Sequence, residues 1–117
     1  MEALDMAKLA YKALDDKKGR DIVVLDIRSV SVLADYFIIA SGDNERQVQA
    51  LADSVDEALG RAGCEKRAVE GTRGSTWILL DFNDIIVHIF NSEDRLFYDL
   101  ERIWRDGKRV AKEELGI

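Results

Sequence analysis

Two short apolar runs separated by a polar turn constrain this chain more than any other feature. The runs cover residues 77–80 and 85–90, and the four residues between them read Asp-Phe-Asn-Asp. Runs rich in β-branched residues and bounded by Asp and Asn are typical of a β-hairpin. The hairpin carries apolar residues on both faces, so the rest of the chain must cover two faces. If the first helix does not cross to the far face, an apolar patch remains there, and such patches usually mark protein interfaces.

Helical periodicity predicts three helices. The first covers residues 2–18 and is expected to end at Gly19, and the second follows a cap at Asp43 or Asn44 and ends at Gly63. The third begins after Ser92 and ends near Gly107.

Strands are predicted at residues 21–27 and 36–40, in the hairpin, and as a weak edge strand at 64–70. The order of elements is helix, two strands, helix, three strands, helix. This order predicts an α/β fold with a mixed sheet of about five strands and about three flanking helices. We expect one domain over residues 1–107 and a C-terminal tail, 108–117, that frays.

Composition narrows the class of protein. The 117 residues carry a formal net charge of -6, which argues against a DNA or RNA binder because phosphate contacts need basic groups. An acidic protein suits a basic partner better. No apolar run is long enough to span a bilayer. The N-terminus is unlike a signal or transit peptide, and a single cysteine, Cys64, fits a reducing compartment. We therefore expect a cytoplasmic protein.

Residue types with catalytic potential are few. His88 is the only histidine, and it is better explained as a half-buried strand residue making one hydrogen bond than as a base or metal ligand. Cys64 has no neighbouring base and is interpreted as a structural thiol. Residues 41–44, Ser-Gly-Asp-Asn, lie between a strand and a helix, where helix capping explains them better than phosphate binding. We predict no metal site and no cofactor.

Two aromatic residues can each be interpreted in two ways. Trp77 opens a hairpin strand after a glycine-containing loop, where it could anchor a protein interface or pack in the core. Tyr98 could contact a partner or expose its hydroxyl on the last helix.

Several segments together resemble one family. They are DIVVLDI at 21–27, ADYFIIASG at 34–42, RQVQALAD at 46–53, EG at 70–71, WILLDFNDIIVHIF at 77–90 and RLFYDLERIW at 95–104. Taken in this order they are similar to the ribosomal silencing factor, or Iojap-like, family over nearly all of residues 2–105. One departure is visible: the family's turn usually reads Asp-aromatic-Gly-Asp, and Asn83 takes the place of the glycine. Asn tolerates a left-handed backbone, so we expect the turn to form.

The resemblance implies a nucleotidyltransferase-like domain without catalytic carboxylates, and therefore no enzyme. It implies binding to the large ribosomal subunit through the basic ribosomal protein uL-fourteen, and a steric block to small-subunit joining that lowers translation. It also implies a homodimer when the factor is free. On this basis Trp77 and Leu79 are expected to form the centre of the interface, with Asp81, Asp84 and Glu70 as an acidic rim. His88 and Tyr98 are further candidate contacts.

Two alternatives remain open at this point. A degenerate nucleotidyltransferase could still bind a nucleotide near Ser41 and Gly42. A metabolic subunit that acts only as a dimer has no sequence feature of its own.

Overall fold

The protein is described here from a computed structural model, which covers residues 1–71, 77–92 and 106–116. The elements are α1 (Ala3–Asp16), β1 (Arg20–Asp26), β2 (Tyr36–Gly42), α2 (Glu45–Arg61), β3 (Ala68–Glu70), β4 (Trp77–Asp81), β5 (Ile85–Asn91), β6 (Lys108–Arg109) and a 3-10 helix (Lys112–Leu115). The predicted mixed α/β fold is confirmed, while the strand count is six rather than five because β6 was not foreseen. The predicted third helix falls almost entirely on 93–105, outside the described residues.

The strands form one mixed sheet in the order β3-β4-β5-β2-β1-β6. The predicted hairpin is present as the antiparallel pair β4 and β5. Its second strand, β5, pairs in parallel with β2 along seven residues, from Tyr36 opposite Ile85 to Gly42 opposite Asn91. The weak strand predicted at 64–70 is shorter, but it does lie at the edge of the sheet, paired with β4.

Both α1 and α2 pack on the same face of the sheet, which we call the helix-bearing face. Small side chains let α1 approach closely: Ala7 and Ala10 are fully buried, and Leu14 lies beside them in the same cluster. The first helix therefore does not cross to the other side. The opposite face carries a second apolar cluster, formed by Val23, Leu25, Ile27, Ala34, Ile39, Ile86 and Phe90 with the half-buried Phe37, Trp77 and Leu79.

The ends of the two helices are closed by different means. At the start of α2, the Asn44 side chain accepts a hydrogen bond from the backbone N–H of Gln47, as predicted for a cap. Its end is a Schellman motif, in which Gly63 has φ +86° and Cys64 donates its N–H to the Leu59 carbonyl.

The end of α1 corrects the role predicted for Gly19. The residue with positive φ is Lys18, at 60°, whereas Gly19 donates its N–H to the Leu14 carbonyl. A Cβ at position 19 would lie 3.0 Å from the Leu14 carbonyl oxygen. Glycine is therefore needed there for close packing rather than for a left-handed backbone.

The C-terminal segment, which we expected to fray, packs against the rest of the fold over residues 108–116. Lys108 and Arg109 pair with β1, and Val110 donates its N–H to the Val24 carbonyl. Leu115 is 4% exposed and belongs to the cluster on the helix-bearing face. Burial of one leucine is worth about 2 kcal/mol, enough to hold a short segment that has few other apolar residues.

The turn between β4 and β5 forms as expected. Asn83 has φ 73° and donates its backbone N–H to the Asp81 carboxylate, and Phe82 donates its N–H to the Ile85 carbonyl. Asn is one of the few residues with a side chain that enters the left-handed region at small cost, so it can replace the glycine usual at this position.

Replacing Asn83 tests this account of the turn. We expect Asn83→Ala to lower the free energy of unfolding by about 1 kcal/mol, because alanine resists a left-handed backbone. Asn83→Gly is the matched control: it loses the same side-chain contacts but accepts positive φ. Urea denaturation should rank the glycine variant clearly above the alanine variant, and equal stabilities would contradict a conformational role.

Candidate functional site

The register of the sheet brings most of the predicted site residues onto one face. Trp77, Leu79 and Asp81 alternate along β4, and Leu79 lies opposite Glu70 of β3 and opposite His88 of β5. Because side chains alternate between the faces of a strand, all five belong to the opposite face. The sequence prediction therefore identified residues that are neighbours in space, although it could not give their register.

Exposure on the opposite face rises towards β3. The residues of β5 on this face are buried, those of β4 are half-buried, and Ala68 and Glu70 of β3 are exposed. The accessible part of the face is therefore an edge formed by Trp77, Leu79 and Asp81 with Ala68 and Glu70, which we call the β3–β4 strip. Apolar groups lie along its middle and carboxylates at its border, an arrangement typical of a small protein-binding surface.

One further predicted residue, Asp84, lies beside the strip rather than within it. Asp84 is exposed in the β4–β5 turn, where its carbonyl accepts hydrogen bonds from the backbone N–H groups of Asp35 and Tyr36. It stands at the same end of the sheet as Asp81. Tyr98 falls outside the described residues.

The strip is joined through Trp77 to the buried aromatic rings of β5. The rings of Trp77, His88 and Phe90 are nearly parallel, with centroids 6.0–6.1 Å apart in each pair. Phe37 meets the imidazole edge to face, with a centroid distance of 5.1 Å. Aromatic contacts at these separations add stability beyond the area that they bury. Phe37 and Phe90 were not singled out from the sequence, and only the alternation of their strands could have placed them on this face.

His88 is held in one neutral tautomer. The indole N–H of Trp77 donates to His88 Nδ1 at 3.3 Å, so the imidazole proton is on Nε2. His88 is 8% exposed, and Nε2 has no hydrogen-bond partner within the described parts of the chain. Burial lowers the pKa of His88 to about 4. The predicted single hydrogen bond is confirmed, but the predicted half-burial is wrong, because the neighbouring rings cover the imidazole. Contact of His88 with a partner stays a prediction, and in the structure His88 supports Trp77.

The other sites considered from the sequence have structural explanations. A Cβ at Gly42 would lie 3.0 Å from the backbone nitrogen of Val48, so this glycine lets α2 begin close to β2. Asp43 pairs with Arg20 at 2.9 Å, and Cys64 contacts the Met1 sulfur at 3.8 Å. Among residues 1–71, 77–92 and 106–116, no group of three or more His, Cys, Asp or Glu side chains could hold a metal ion. None of the helices described is long and apolar enough to cross a membrane.

The buried imidazole predicts a specific dependence of stability on pH. In the unfolded chain His88 takes up a proton near its ordinary pKa of 6.5, whereas in the folded chain it does so only near 4. Acid therefore favours the unfolded state: stability is full above about pH 6.5 and falls by up to about 1.4 kcal/mol per pH unit towards pH 4. The total contribution is about 3 kcal/mol.

The measurement is urea unfolding at several pH values for the natural protein and for His88→Leu. Leucine fills similar apolar space and cannot take up a proton. Carboxylates titrate in both proteins, so the difference between the two curves isolates the imidazole. Parallel curves between pH 7 and pH 4.5 would show that burial of His88 does not govern acid stability.

Comparison with known proteins agrees with the resemblance seen in the sequence. A family model described as "Ribosomal silencing factor during starvation" matches residues 1–116. The chain is 36% identical to the ribosomal silencing factor of Halalkalibacterium halodurans over 97% of each protein. It is 34% identical to the chloroplastic protein Iojap of Zea mays over 88% of this chain and 45% of that protein.

A solved structure gives the same result for the fold. The crystal structure of a Chromobacterium violaceum protein superposes with a TM-score of 0.86 at 39% sequence identity, over 96% of this chain and 93% of the other. Sequence and fold agree along almost the whole length, so the chain belongs to the ribosomal silencing factor family.

Proposed function

We propose that this protein binds the large ribosomal subunit through ribosomal protein uL-fourteen and represses translation by blocking the small subunit. The observation that carries the proposal is the β3–β4 strip, which combines an apolar centre with carboxylates at one accessible edge of the sheet. Blocking is steric and needs no turnover, so no catalytic group is required. The action belongs in the cytoplasm, where free subunits meet.

The apolar centre is provided by Trp77 and Leu79. Both side chains are half-buried, so a partner can cover the remaining area without the sheet having to open. Trp77 is already oriented by its hydrogen bond to His88 and by the neighbouring rings. Holding an anchor in one orientation before binding reduces the entropy lost on association. Large aromatic side chains in such positions commonly supply much of the binding free energy.

Carboxylates make the same edge acidic. Glu70 is exposed on β3, Asp81 borders the apolar centre and Asp84 stands in the adjacent turn. None of the three forms a salt bridge with another described residue. A basic ribosomal protein would therefore be attracted to this edge by charge complementarity, which mainly accelerates association and fixes orientation.

The decisive test is co-sedimentation with isolated large subunits, followed by addition of small subunits. We expect the natural protein to migrate with the large subunit and to reduce the yield of joined ribosomes. Trp77→Ala should weaken large-subunit binding by about 2 kcal/mol or more, roughly thirtyfold in Kd, because the anchor is removed.

Trp77→Ala also removes packing, so its folding must be checked by circular dichroism and urea unfolding. If the variant is unfolded, the role of the strip is tested instead by Glu70→Lys and Leu79→Ser, which alter it at an exposed and a half-buried position. Folded strip variants that bind like the natural protein would place the interface elsewhere. Absence of binding by the natural protein at micromolar concentrations would refute the proposed function itself.

The acidic edge makes a separate kinetic prediction. Asp84→Asn should slow association with large subunits at low salt and weaken the dependence of the association rate on salt, with little change in dissociation. Asp53→Asn removes the same charge from α2, on the helix-bearing face, and serves as the matched control. Stopped-flow or surface-binding rates at several salt concentrations distinguish the two, and identical behaviour would argue against a role for Asp84.

We also propose that the free factor is a homodimer, as the resemblance to this family implies. A second copy that covers the β3–β4 strip would have to leave before the ribosomal partner could bind. The strip variants therefore also test whether self-association and ribosome binding use the same surface.

A further inference from the structure

The loop between β1 and β2, residues 27–35, exposes apolar side chains that the fold does not use. Val32 is fully exposed, Leu33 is 69% exposed and Val30 is 51% exposed. Within the described parts of the chain they make up half of the six large apolar side chains that are exposed. Single exposed apolar residues are ordinary, but three within four positions form a patch.

The loop is held in shape by its own hydrogen bonds. The Ile27 N–H donates to the Asp35 carbonyl at 3.0 Å and closes the base, while the N–H groups of Val30 and Ser31 both donate to the Ile27 carbonyl. The Ser31 hydroxyl accepts from the Leu33 N–H at 3.0 Å. A loop ordered in this way presents its tip without a further large loss of entropy on binding.

The base of the loop is continuous with the opposite face. Ile27 and Ala34 are 1% and 6% exposed, and both belong to the cluster that includes Trp77 and Leu79. The loop lies between β1 and β2, about 12 Å from β4 at the usual spacing of strands. An interface of ordinary size covers a patch about 30 Å across, so one partner can reach both the loop tip and the β3–β4 strip.

Charges around the loop indicate what kind of partner fits. Arg28 is engaged by Asp26, with its two nitrogens 3.0 and 2.7 Å from the two carboxylate oxygens. Lys108 lies opposite the same Asp26 in the sheet. Asp35 and Asp84, joined by a backbone hydrogen bond of 2.8 Å, are exposed and form no salt bridge with any described residue. Of these five charged groups three are carboxylates and two are cations, so together they carry a formal charge of -1 beside the apolar tip.

We propose that the tip of this loop is a second docking element, in which Val30, Val32 and Leu33 enter an apolar recess bordered by basic side chains on the protein partner. The inference rests on the proposed function and extends it, because it adds a contact on the β1–β2 side to the one on β4. The partner then touches two separated elements of one rigid sheet. Such two-point contact fixes orientation, which a steric blocker needs.

The test measures binding of isolated large subunits by the full chain and by the double variant Val32→Ser/Leu33→Ser. Both positions are exposed, so the urea midpoint should not fall, while the Kd should rise by about tenfold or more. Leu4→Ser is the matched control, because Leu4 is 38% exposed on α1 and lies outside both the loop and the β3–β4 strip. Its Kd should stay within about twofold of the natural value. Asp35→Asn should reduce the dependence of binding on salt.

The possible outcomes distinguish a failure of the proposed loop contact from a failure of the proposed function on which it rests. If the natural protein binds large subunits and the double variant binds them equally tightly, the docking role of the loop is overturned and the proposed function is left intact. A double variant that loses self-association in sedimentation velocity, but binds subunits normally, would assign the tip to a second copy and overturn the proposal. A natural protein that does not bind would overturn both.

Discussion

The parallel ladder between β2 and β5 is the contact on which the rest of the structure depends. It runs without interruption for seven residues and joins the β1–β2 half of the sheet to the β3–β4 edge. Side chains alternate strictly along both strands, so a shift of one residue would exchange the two faces. Leu80 and Val87 would then no longer face the helices, and Trp77 and His88 would face the helices instead. The position of the candidate site is therefore decided by this one register.

Apolar burial on both faces explains why the register is well defined. Ile38 and Val87 are fully buried on the helix-bearing face, and Ile39 is fully buried on the opposite face. A polar residue in such surroundings is costly unless it is paired, and within the described parts of the chain His88 is paired through only one of its two nitrogens. Burial of the Nε2–H group of His88 lowers the stability of the fold by about 1–3 kcal/mol, which the packing of the rings around it must offset. In return, the imidazole holds the indole of Trp77 in a single orientation.

Much of this arrangement could be predicted from the residues alone. The hairpin and its Asn83 turn follow from local pattern, and so do the cap at Asn44 and the end of α2 at Gly63, because these features depend on neighbours within a few positions. Strand alternation also predicts that Trp77 and Leu79 lie on one face of the sheet and that Ile78 and Leu80 lie on the other. The candidate site was predictable to the same extent, as a set of residues on one strand face.

What could not be predicted depends on contacts between distant parts of the chain. The pairing of β2 with β5 has no local signal, and neither does the need for Gly19 to approach Leu14. Lys18 adopts positive φ because the chain must turn there into β1, although nothing in its side chain favours that backbone. The β1–β2 loop lies between the two strands predicted at 21–27 and 36–40, but only the fold shows that its apolar side chains face solvent.

The burial of Leu115 has a consequence for how the protein is made. Leu115 and the half-buried Val110 pack in the same cluster as Met6 and Ala10 of the first helix. The core beneath α1 is therefore completed by residues that are synthesised a hundred or more positions later, and α1 cannot reach its final packing while residue 115 is still inside a translating ribosome. The first helix to be synthesised is thus among the last elements of the core to complete its packing.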